Sequence, residues 1–218
     1  MKRSAGIFET VFDILYLATG TILGLMLLAT SGGQDRVSRL LAGVMALVLV
    51  VGDSFHLVPR ICAIVTDDAT SRLPALGRGK QVTSITMTVF YLLLWHIGLR
   101  EYPVGNDRLW TAALYGLATV RILLCLSPRN RWLESHPPRN WAILRNLPFI
   151  LQGLMVAILF FHGRNALFGL RNMYLAILIS FACYIPVVVW SNKNPKVGML
   201  MLPKTCAYLW MLFMCLSL

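Results

Sequence analysis

An acid, an imidazole and a guanidinium stand together in the stretch Gly52-Asp53-Ser54-Phe55-His56-Leu57-Val58-Pro59-Arg60. On a helix turning 100° per residue, Asp53, His56 and Arg60 fall within about 60° of one another. That face suits proton transfer, with Asp53 as general base and His56 as its partner or the acid, and it equally suits a satisfied buried histidine. Pro59 removes one backbone hydrogen bond beside the same three residues and frees a carbonyl there.

Other stretches carry matching polar faces. Glu9, Asp13 and Tyr16 follow i, i+4, i+7 spacing; Lys80, Thr83, Ser84, Met87 and Tyr91 do the equivalent further on. Arg121 stands alone in an apolar run, Arg145 and Gln152 share a face, Ser180 and Tyr184 share another, and Lys204 and Tyr208 a last one. The cations suit an acidic head group, arginine through bidentate contacts and lysine as a point charge. Asp13, Arg60, Lys80, Tyr91, Arg121, Arg145, Gln152, Tyr184, Lys204 and Tyr208 are therefore the candidate ligand-binding residues, and Asp53 and His56 the candidate catalytic pair.

The elements that must position these residues are membrane helices. The chain is 57% hydrophobic and 13% charged, with mean hydropathy +0.68, whereas soluble domains carry about 25% charged residues. Seven apolar segments can be drawn, at Ile7 to Ser31, Leu40 to Val65, Gln81 to Leu99, Leu109 to Ser127, Leu147 to His162, Leu167 to Trp190 and Val197 to Leu218. Each approaches the roughly 20 residues that a spanning helix needs, and none alternates in polarity as a barrel strand does. The expected fold is all-α, one polytopic domain over residues 1–218 with seven spans, and 218 residues leave no room for a soluble domain. The basic start followed by an apolar run invites a signal-peptide reading, but the run is too long and carries Glu9 and Asp13, so it is expected to be a permanent helix.

The formal charge of +11 is first a matter of topology. Lys2, Arg3, Arg60, Arg72, Arg78, Lys80, Arg129, Arg131, Arg139, Arg145, Lys193 and Lys196 fall on one side of the spans, twelve in all, against six on the other: Arg36, Arg39, Arg100, Arg108, Arg164 and Arg171. The positive-inside bias puts the N-terminus in the cytoplasm and the C-terminus outside, in the inner or plasma membrane. Arg121 and Lys204 lie within spans and escape this accounting. Ionisable side chains inside a bilayer cost about 2.5–3.5 kcal/mol each on insertion scales, which marks them as candidates for function. All of them belong to the cytoplasmic half, and the outer half is apolar.

The expectation is a cytoplasm-facing cationic cavity lined by Asp13, Asp53, His56, Arg60, Arg121, Arg145 and Lys204, taking an anionic amphiphile or a membrane lipid. The structural alternative pairs Asp53 with Arg60 or Arg121, and Asp13 with Lys204, as glue within the bundle. A small-molecule or proton-coupled transporter is a further alternative, with Asp13, Asp53 and His56 as relay, and a sensor or assembly factor another. The five cysteines form no C-x-x-C pair, so neither a metal site nor a disulfide framework is expected, and no cofactor motif occurs. His96, His136 and His162 read as interface or loop residues. The basic, aromatic segment from Pro128 to Trp141 suits anionic lipid rather than nucleic acid. Arg-Asn recurs five times, which by itself establishes no internal repeat.

Three places resemble the lysoplasmalogenase family of small polytopic membrane hydrolases. An apolar helix leads into Gly52-Asp53; a Gly-bearing connection, Leu76-Gly77-Arg78-Gly79, enters a helix ending in Phe90-Tyr91; and Ile179-Ser180-Phe181 and Thr205-Cys206-Ala207-Tyr208 lie where the family has a Ser-Asp pair and a Tyr-bearing final helix. The resemblance covers roughly residues 40–215. It implies a lysolipid or ether-lipid substrate, water attack assisted by carboxylates, and eight spans. Phe181 stands where the family's second carboxylate would be and Thr88 where its histidine would be, so Asp53 alone carries over as a catalytic residue.

Overall fold

The computed structural model describes residues 2–32, 36–68, 70–102, 105, 107–134, 137–191 and 194–218, with residues 2–5 and 195 as backbone only. His136, Lys193 and the side chains of Lys2 and Arg3 lie outside that set. Seven α-helices follow in chain order: α1 Lys2–Ala29, α2 Arg36–Thr66, α3 Leu73–Glu101, α4 Asp107–Leu126, α5 Arg139–Gly163, α6 Met173–Trp190 and α7 Met201–Met214. No strand occurs among the described residues. Seven segments are long and apolar enough to cross a membrane, the last being Lys196–Ser217. Their outward faces carry exposed large apolar side chains such as Leu15, Val51, Leu109, Leu123 and Ile158, which a hydrocarbon phase would cover.

Consecutive helices pack against one another, α3 also reaches α5, and α1 packs against α7 to close the bundle. Several boundaries differ from those expected. The third helix begins eight residues before Gln81, because Leu76-Gly77-Arg78-Gly79 is helical and not a connection. Glycine there serves close approach: a Cβ on Gly79 would overlap the backbone of Phe55 and His56, and one on Gly77 would overlap the carbonyl of Trp132. The Phe55 carbonyl is the one that Pro59 leaves without its helical donor, and Gly79 covers it. This contact brings α2 and α3 together where Asp53 and His56 stand.

The fifth segment, drawn as the shortest at 147–162, is a 25-residue helix, since Pro148 is accommodated inside it. The last one is broken instead: 3-10 stretches at Pro195–Leu200 and Cys215–Ser217 flank a 14-residue α7. Pro203 lies in the first turn of α7, where its missing N–H leaves no helical bond unmade. A 31-residue α2 is about 46 Å long at 1.5 Å per residue, more than the roughly 30 Å of a hydrocarbon core.

Candidate functional site

The polar side chains of α1 and α2 meet first. Tyr16 donates its hydroxyl to Asp53 Oδ2 at 2.7 Å, and both residues are buried. Asp13, one turn before Tyr16, is buried with Oδ2 unpartnered. Glu9 forms an ion pair with Arg60 at the rim. His56 turns to α3, with Nδ1 2.9 Å from Thr83 Oγ1. Because the Thr83 hydroxyl donates to the Gly52 carbonyl at 2.8 Å, the imidazole must be the donor to Thr83, which leaves Nε2 as the basic nitrogen. Asp53, His56 and Arg60 share a helix face but go to three different partners, and no hydrogen bond joins Asp53 to His56 among the described residues.

At the centre of the bundle lies Arg121, 1% exposed and the largest fully buried side chain. Its Cζ sits 3.3 Å from the centroid of the Phe149 ring, while Nε and Nη1 have no acceptor. The ion pairs among the described residues are Arg60–Glu9 and Arg131–Glu134, so Arg121 faces its ring without a carboxylate. Lys204 is also buried, with Nζ 5.0 Å from the ring centroids of both Tyr184 and Tyr208, and lies within electrostatic reach of Asp53 without forming an ion pair. A desolvated cation–π contact contributes about 2 kcal/mol, less than the several kcal/mol that burying an ion costs. The pairings expected of a purely structural cluster, Asp53 with Arg60 or Arg121 and Asp13 with Lys204, do not form. Asp53 is taken by Tyr16 and Arg60 by Glu9, while Arg121 and Lys204 lie against aromatic rings.

Hydroxyl and amide groups complete the same layer. The Ser180 hydroxyl donates to the Ile177 carbonyl at 2.8 Å, so the Tyr91 hydroxyl is the donor in its 3.4 Å contact with Ser180. Tyr184 donates to Asn146 Oδ1 at 2.9 Å, and Gln152 Nε2 donates to the Thr88 carbonyl at 3.2 Å, leaving Gln152 Oε1 unpartnered. Rings of Tyr91, Phe149 and Phe181 pack with centroids 5.0–5.6 Å apart. All seven helices contribute a side chain to this layer.

Three expected binding residues stand at its edge instead. Arg145 donates to Asn130 Oδ1 at 3.0 Å and stacks 4.2 Å over Trp132, because Asn130, fully buried, caps the last carbonyls of α4 and turns its own oxygen toward α5. Lys80 is exposed on α3, and Arg60 is held by Glu9. The expected single open cavity is therefore divided into a closed centre, with Asp53, Tyr91, Arg121, Gln152, Tyr184, Lys204 and Tyr208, and a charged rim. Two open clefts lie elsewhere: one of about 440 Å³ between Phe168, Arg171, Tyr174 and Trp210, and one of about 400 Å³ between Arg78, Gln81, Arg131 and Trp132.

The sequence reading did not single out Phe149, Asn130 or Asn146. Phe149 is legible in retrospect as the residue one turn before Gln152, and the two asparagines each follow an arginine in the recurring Arg-Asn pair. Among the described residues no group of three or more His, Cys, Asp and Glu side chains is placed to hold a metal, and the five cysteines are free. No family model, no curated protein and no solved structure matches the chain.

Proposed function

We propose that this is a multi-pass membrane protein that holds the acidic head of an amphiphile at Arg121 and Lys204, reached from the cytoplasmic side of the inner or plasma membrane. The observation that carries the reading is the buried Arg121 guanidinium with two unpartnered N–H groups and no carboxylate. An uncompensated buried charge is costly to a fold, and an arriving anion offsets that cost while supplying the missing acceptors. Lys204 adds a second positive charge on a neighbouring helix, and the rim cations Arg60, Lys80 and Arg145 draw anions toward it. The orientation rests on the twelve-to-six distribution of Lys and Arg.

The test is a titration of delipidated protein in dodecyl maltoside with octyl phosphate and octyl sulfate against neutral octyl glucoside, followed by tryptophan fluorescence. The anions are expected to bind at least tenfold more tightly than the glucoside, and Arg121→Met to abolish that difference. Equal binding of charged and neutral amphiphiles overturns the reading.

Hydrolysis of a lysolipid or ether lipid, in the manner of the lysoplasmalogenases, is the second reading. One observation favours it: only one Asp53 oxygen has a donor among the described residues, so the other is available to a water. Wild-type protein and Asp53→Asn giving the same products over a lysolipid panel sinks it.

A further inference from the structure

Two buried groups at the centre of the layer have complementary needs. Arg121 holds Nε and Nη1 without an acceptor, and Gln152 holds Oε1 without a donor, at 1% and 0% exposure. The direction of the Gln152 amide follows from its partner. The Thr88 carbonyl can only accept, so the NH2 group lies on it and the oxygen points away. Gln152 stands one turn after Phe149 on the same face of α5, and Arg121 lies on the Phe149 ring, so the unpartnered donors and the unpartnered acceptor border one aromatic layer.

From this juxtaposition, and resting on the anion-binding reading above, we propose that the head group is a singly protonated phosphate monoester. Its bare oxygens accept from Arg121 and its P–O–H donates to Gln152. A sulfate ester, a carboxylate or a phosphodiester presents acceptors alone and leaves the Gln152 oxygen unpaired in a buried site. Sites built to bond a hydroxyl discriminate strongly against analogues that lack it. Phe149 lies against Arg121, and Phe181 against Phe149 and the bare Cα of Gly153. Neither carries a polar atom, so parting them to load a ligand disturbs packing and breaks no hydrogen bond.

The experiment compares octyl phosphate with octyl sulfate at pH 5, below the second phosphate pKa of about 6, where both are monoanions of similar size. Wild-type protein is expected to bind the phosphate about tenfold or more tightly. Gln152→Leu and the isosteric Gln152→Met are expected to bring that ratio to within twofold of unity by weakening phosphate binding. Equal wild-type affinities for the two anions overturn this inference and leave anion binding standing, as does a preference that survives both substitutions. Failure of both anions to bind more tightly than octyl glucoside overturns both readings together.

Discussion

The bundle has two halves with opposite internal chemistry. In one, Leu23 and Leu27 of α1, Ala42 and Met45 of α2, Leu94 and Ile97 of α3, Phe160 of α5, Ile177 of α6 and Met211 of α7 close a buried apolar interior. In the other, Asp13, Asp53, Arg121, Gln152, Ser180 and Lys204 are equally buried but polar. Apart from the Tyr102 hydroxyl, every buried side-chain polar atom left without a partner, among the described residues, lies in the polar half. Lipid is as apolar as leucine, so helices hold together in a membrane through close packing, which the apolar half supplies. The polar half carries unmet hydrogen bonds and an unpaired charge that packing alone has no use for. The difference teaches that close apolar packing and unmet polar groups occupy separate depths.

Substitutions can break that separation, beginning with the largest effect. Phe160→Ala empties a fully buried ring position and is expected to cost about 3–5 kcal/mol in thermal or denaturant unfolding, with anion affinity unchanged; a matching loss of affinity would show that the halves are one unit. Arg121→Met is expected to do the reverse. It should raise stability by about 1–4 kcal/mol, since a hydrophobic replacement removes an uncompensated buried charge, while anion binding disappears. A destabilised Arg121→Met protein would identify the arginine as glue.

Asp53→Asn keeps an acceptor for Tyr16 but loses the charge on it, and is expected to cost about 1 kcal/mol. The same change removes the carboxylate within reach of Lys204, so anion affinity should rise several-fold in the same titration. The smallest effect belongs to the rim. The Arg60 side chain is 51% exposed, and Glu9→Gln is expected to cost about 0.2–1 kcal/mol, a difference that unfolding at high salt should erase.

Much of the architecture was legible from apolar runs, because a spanning helix must be about 20 residues long and predominantly apolar whatever its neighbours are. The candidate site was legible as a set of residue types and depths. Tyr16 and Asp53 each announced themselves on a helix face, but their hydrogen bond joins residues 37 positions apart, which spacing cannot reveal. The Leu76 to Gly79 stretch read as a connection because paired glycines weaken a helix in water; against the backbone of Phe55 and His56 they are what lets two helices touch. Arg145 and Arg121 both read as cations for an acidic head group. One is held by Asn130 and Trp132, and the other faces Phe149 without an acid, a difference made by the turn at Pro128–Asn130.

By itself the sequence determined the number of apolar segments, the segregation of ionisable residues to one depth and the side of the spans that carries the cations, since these depend on hydropathy and order along the chain alone. Which acid meets which base was decided only by the tertiary structure. Helix rotation and close approach put Asp53 on Tyr16, His56 on Thr83 and Arg121 on an aromatic ring, and a side chain's partner is set by a few ångströms of packing that no single helix encodes.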